Sequence, residues 1–171
     1  MTLKFDPQQA QRSFHSDAYR QELGWGPGEI QRSLDEADGF DREFGTDTSA
    51  VDFATPPGTY VPIIPRMFRD MMSGIRLPFE DFVFVDIGSG KGRALLLASD
   101  YPFKRCSGLE LSPIHHARAE QNIALYRGPA QRCRTVESLC QDATTYDFPK
   151  EDLFLHFFHS FGLEPFTAMV S

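Results

Sequence analysis

The run Phe82-Val83-Phe84-Val85-Asp86-Ile87-Gly88-Ser89-Gly90-Lys91-Gly92-Arg93, continuing into Ala94-Leu95-Leu96-Leu97-Ala98, constrains this chain more than any other feature. A β-branched and aromatic stretch enters a glycine turn, and a helix-forming stretch leaves it. A strand–glycine turn–helix unit sets backbone N–H groups and a helix N-terminus beside an open pocket. Glycines there let a ligand come close to the backbone, where a Cβ would collide. Asp86 adds a carboxylate just before the turn. The expected ligand is nucleotide-like, with an anionic part and a cationic or hydroxyl-bearing part.

The sequence beyond Phe82 alternates between strand and helix patterns. Strands are expected at 82–87, 105–111, 134–139 and 153–158. Helices are expected at about 90–100 and from Ser112, an N-cap followed by Pro113 at N1, to about Tyr126. This order predicts an α/β fold with a Rossmann-like parallel sheet and right-handed crossovers. Leu153 to Phe158 is almost continuously apolar, as in a strand covered on both faces. The chain ends soon after this fourth strand, so the sequence reads as the front part of a larger fold. The fourth strand would then be an apolar edge available for self-association.

Residues 1–75 read as a helical N-terminal extension or lid, and 76–171 as the ligand-binding domain. Helices are expected at 8–23, 29–37 and 62–72, with breaks at Gly24, Gly26, Gly39, Gly45 and Pro56-Pro57-Gly58.

The 171 residues suffice for one domain with a core, and 16 phenylalanines can fill it. A net charge of -7 argues against bulk binding to a nucleic-acid backbone. Arg127, Arg132 and Arg134 are the place for a local basic patch. Cys106, Cys133 and Cys140 have neither zinc nor CxxC spacing and read as free thiols of a reducing compartment. No apolar run approaches the roughly 20 residues of a membrane span, and Met1 to Arg12 lacks the apolar region of a signal peptide. A cytoplasmic location without membrane contact is expected. No metal site is expected: His115 and His116 read as helix-surface residues without further ligands, and His156 as a core histidine.

Three ligand chemistries compete for the turn. A phosphate-binding P-loop needs GxxxxGK followed by Ser or Thr, and here Gly92 follows Lys91. A dinucleotide turn needs GxGxxG, and Arg93 stands at the third glycine. The third pattern, Asp86-x-Gly88-x-Gly90-x-Gly92, resembles motif I of class I S-adenosylmethionine-dependent methyltransferases. Glu110, about 20 residues further on, and Asp142 follow at the ends of the second and third expected strands. Gly108-Leu109-Glu110-Leu111-Ser112 and Asp142-Ala143 extend the resemblance. It covers roughly residues 40 to 162 and is closest to an uncharacterised branch, which Gly45-Thr46-Asp47-Thr48 and Gly58-Thr59-Tyr60-Val61-Pro62 also resemble. A more distant similarity is to the histone-lysine methyltransferase of class I fold.

The resemblance implies a methyltransferase whose cofactor is S-adenosyl-L-methionine and whose acceptor is unknown. Asp86 would orient the methionine amino group, and Gly88, Ser89, Gly90 and Gly92 would lie against the cofactor. Glu110, with Leu111 beside it, would bind the ribose. Asp142 and Ala143 would take the adenine edge, and Tyr60 would close over the cofactor. His159-Ser160-Phe161 stands where the branch often has Asn-Pro-Phe, which makes His159 the candidate base. The class I fold has seven strands and this sequence supplies four. The alternative reading is therefore a truncated, non-catalytic cofactor-binding or interaction protein.

Overall fold

A computed structural model describes residues 27–48 and 62–158. Helix α1 (Pro27–Phe44) and helix α2 (Pro65–Ser73) precede a short 3-10 turn at Phe79–Asp81. Then come β1 (Val83–Ile87), α3 (Arg93–Ala98), β2 (Arg105–Glu110), α4 (Pro113–Leu125), β3 (Val136–Cys140) and β4 (Leu153–Phe157). The four strands form one sheet in the order β3-β2-β1-β4, and every pairing is parallel. The expected Rossmann-like α/β sheet is thus present. The strand order reverses between β1 and β4, the topological switch point where open α/β sheets bind ligands at the carboxyl ends of their strands.

Side chains of β1 alternate between two apolar clusters. Phe84 joins Leu95, Leu96, Phe103 and Cys106 on the face covered by α2 and α3, while Val83, Val85, Ile87 and Leu109 form the other. No helix lies between β3 and β4. Instead Tyr146 and Phe148, in edge contact at 5.0 Å, pack against the second cluster.

Helix α3 begins at Arg93, not at Gly90 as expected, because Gly88, Gly90 and Gly92 all have positive φ (74°, 55° and 87°). The backbone stays non-helical through all three. Helix α1 is longer than expected and runs through Gly39. One interior glycine costs roughly 1 kcal/mol, and the burial of Ala37 and Phe40 on the same helix opposes that cost.

The described part of the N-terminal region joins the core of the sheet. Phe40, Ile63, Phe68 and Met72 belong to the cluster that holds Phe84. Phe40 and Phe44 lie 5.8 and 4.7 Å from the Tyr126 ring. Beyond α1, the chain is held by Asn122 of α4, which is buried. Asn122 Oδ1 accepts from the Asp47 amide at 2.8 Å, and its Nδ2 donates to the carbonyls of Asp47 and Lys91, both at 2.9 Å. One side chain thus joins α4, the 46–48 segment and the glycine turn. Asn122→Ala is expected to cost about 1–3 kcal/mol, the cost of leaving buried polar groups unpaired. Urea denaturation would read it, together with faster hydrogen exchange at the Asp47 amide.

Candidate functional site

The glycine turn follows β1 directly, so Asp86 sits at its mouth. In register, Asp86 lies opposite Gly108 on β2 and His156 on β4. Its Oδ1 is 2.7 Å from His156 Nδ1, and both side chains are buried. The histidine ring stacks on Phe84 at 5.7 Å and meets Phe68 edge-on at 5.6 Å. His156 is therefore a core residue, as expected, but one tied to the acid before the turn. Asp86 Oδ2 makes no hydrogen bond among the described residues.

Glu110 closes β2 and braces the turn. Its Oε2 accepts from the Gly90 amide at 2.7 Å and its Oε1 from the Ser112 amide at 2.8 Å. Each carboxylate oxygen keeps a further lone pair. His115 contradicts the expectation of a surface residue: it is buried, with Nδ1 3.8 Å from Glu110 Oε1. The first turn of α4 folds it under the end of β2, because Ser112 caps that helix through the His115 amide. His116 is half-buried and bonds Ser138 Oγ through Nδ1 at 2.9 Å.

Asp142 lies just past β3 and is exposed. Its Oδ1 accepts from the Thr144 amide at 2.9 Å and from the Thr144 hydroxyl at 2.7 Å. These bonds hold its carboxyl below the usual aspartate range. Ala143 is buried in the second cluster, and Leu111 is 70% exposed beside Glu110. The carboxylates of Asp86, Glu110 and Asp142 thus stand at the same end of three adjacent strands. Tyr60 and His159 lie outside the described residues.

A small recess opens at the switch point. Asp86, Gly88, Ser89, Arg93 and His156 give it a polar side, and Pro62, Ile63, Ala94 and Phe158 an apolar one. Ser89 Oγ is buried without a hydrogen-bond partner among the described residues. Buried hydroxyls are nearly always paired, so this one fits a ligand that supplies the missing partner.

Two features escaped the sequence reading. One is the Asp86–His156 pair, which needs the β1–β4 register to be seen. The other is a clasp on Arg93. Asp41 Oδ1 accepts from the Thr46 hydroxyl (2.7 Å) and from the Thr48 amide (3.0 Å) and hydroxyl (2.6 Å). Its Oδ2 accepts from Arg93 Nη2 at 3.1 Å, while Arg93 Nε donates to Thr48 Oγ1 at 2.6 Å. Among the described residues, no group of His, Cys, Asp and Glu could hold a metal ion, and no helix is long and apolar enough to cross a membrane.

No protein-family model and no curated protein sequence matches the chain. Solved structures do superpose on it. An RNA methyltransferase from Salinibacter ruber in complex with S-adenosyl-L-homocysteine is 25% identical over 56% of this chain and 60% of its own, with a TM-score of 0.44. The YcgJ protein from Bacillus subtilis is 22% identical over 49% of this chain and 33% of its own, with a TM-score of 0.38. A coclaurine N-methyltransferase bound to N-methylheliamine and SAH is 16% identical over 86% of this chain and 47% of its own, with a TM-score of 0.38. The chain spans less than two thirds of each of these proteins. Likeness at this level is loose, and the site's own geometry carries the functional reading.

Proposed function

We propose that this chain binds S-adenosyl-L-methionine and acts as a methyltransferase on an acceptor still to be identified. The observation that carries the reading is the left-handed glycine turn at the switch point, flanked by Asp86, Glu110 and Asp142 at successive strand ends. When bound, the cofactor supplies a methyl group already activated on a sulfonium. The protein's part is then to position the reactants and exclude water.

Each polar residue has a matching task. Asp86, held at Oδ1 by His156, offers Oδ2 to an ammonium group. Glu110 keeps acceptor capacity on both oxygens for two vicinal hydroxyls. Asp142 bonds Thr144 through Oδ1, which leaves Oδ2 for an exocyclic amine, and exposed Leu111 offers an apolar surface for an aromatic base. The recess lined by Asp86, Ser89 and Arg93 is a small one. It holds the amino-acid end, and the nucleoside lies outside it along β2 and β3. His159 serves as the base where the acceptor must lose a proton. The free thiols Cys106, Cys133 and Cys140 support a cytoplasmic setting.

Calorimetry with S-adenosylmethionine and S-adenosylhomocysteine tests the reading. Saturable binding of both is expected. Asp142→Ala should weaken it by about tenfold, the loss of one charge-assisted hydrogen bond. Because Asp142 is exposed, the variant leaves the core intact. Absence of heat at millimolar ligand would sink the proposal.

A further inference from the structure

We infer that Arg93 is the residue that reads the carboxylate of the bound cofactor, and that the clasp from Asp41 and Thr48 aims it. The inference rests on the S-adenosylmethionine reading of the same site. Arg93 lines the recess and is only 3% exposed. A buried guanidinium needs partners for its five N–H groups. Nε and Nη2 bond Thr48 and Asp41, while Nη1 makes no hydrogen bond among the described residues. Ser89, whose hydroxyl has no partner among the described residues, lines the same recess.

The two unsatisfied groups are donors, and Asp86 Oδ2, also at the recess, is an acceptor. An anion-binding pair beside a cation-binding carboxylate is the complement of a zwitterionic α-amino acid. Asp86 takes the ammonium, while Arg93 Nη1 and Ser89 take the carboxylate. A planar guanidinium held on one edge by fixed acceptors presents its other edge without losing further side-chain freedom, which favours a carboxylate. Arg93 stands where a dinucleotide turn would have its third glycine, so the departure that excludes a dinucleotide also supplies the anion receptor.

The test compares S-adenosylmethionine with decarboxylated S-adenosylmethionine by calorimetry on the full chain. The wild type is expected to prefer the carboxylated form by about tenfold to a hundredfold, as for a hydrogen-bonded charge pair. Arg93→Gln should remove the preference, lowering the affinity for the carboxylated form far more than that for the decarboxylated form. Thr48→Val, which frees Nε and loosens the guanidinium, should reduce the preference in part. Equal binding of the two nucleosides to the wild type overturns the inference, as does an Arg93→Gln variant that weakens both alike. Should Arg93→Gln fail to fold, a wild-type preference left unchanged by Thr48→Val also overturns it. Failure of both nucleosides to bind defeats the cofactor reading itself and the carboxylate assignment with it.

Discussion

Gly108→Ala is expected to destabilise the protein by about 3 kcal/mol, the upper part of the range for overpacking a filled core. Gly108 lies on β2 directly beneath the glycine turn. An added Cβ would stand 2.5 Å from Ser89 Oγ and 2.7 Å from both Ser89 Cβ and Leu95 Cδ1. Rotating the serine hydroxyl away does not relieve the contact with its Cβ, so the backbone of the turn must lift. At about 2–4 °C per kcal/mol for a chain of this size, melting should fall by about 6–12 °C. Cofactor binding should fail in the same variant at temperatures where it remains folded, since the turn and its orphaned hydroxyl move together. A melting temperature within a degree of wild type would show that β2 does not support the turn in this way.

Asp41→Ala should cost about 3–5 kcal/mol, the usual result of leaving one member of a buried ion pair alone. Among the described residues Asp41 is the one acceptor for Arg93 Nη2, and it also receives the Thr46 hydroxyl and the Thr48 amide and hydroxyl. Removing it leaves a guanidinium at 3% exposure without its counter-charge. Asp41→Ala combined with Arg93→Met should recover part of the loss, because no charge then stays buried. Urea titration of the two single variants and the double variant measures this. Additive losses would mean that the two residues do not act as a pair.

The turn, the four strands and the three carboxylates could be read from sequence because each is a local pattern. The apolar run at 82–87 and the N-cap at Ser112 need no knowledge of the rest of the chain. The alternation also placed the acids at strand ends: Asp86 and Glu110 fall within the last two residues of β1 and β2, and Asp142 lies two residues past β3. What stayed hidden depends on contacts across long separations. Arg93 and Asp41 are 52 residues apart, and His156 and Asp86 are 70 apart. Nothing in their own neighbourhoods marks them as partners. His115 looked like a surface residue because the polar sequence of α4 gives little sign of which side faces β2; its position under Glu110 decides its burial. Gly39 carries the local signal of a helix end, and the Phe40 packing that opposes it lies in the tertiary structure.

The bridge made by Asn122 bears on how small a working piece of this protein can be. Sequence alone invites a cut near residue 76, which would keep the glycine turn and all four strands. Such a piece would lose the Asp47 peptide that pairs with Asn122, the counter-ion of Arg93, and the Phe40 and Phe44 rings against Tyr126. The smallest autonomous unit is therefore expected to include the stretch from Phe40 to Asp47. A grafted or minimised version of the site would have to carry α1 along, although none of the motif residues lies within it.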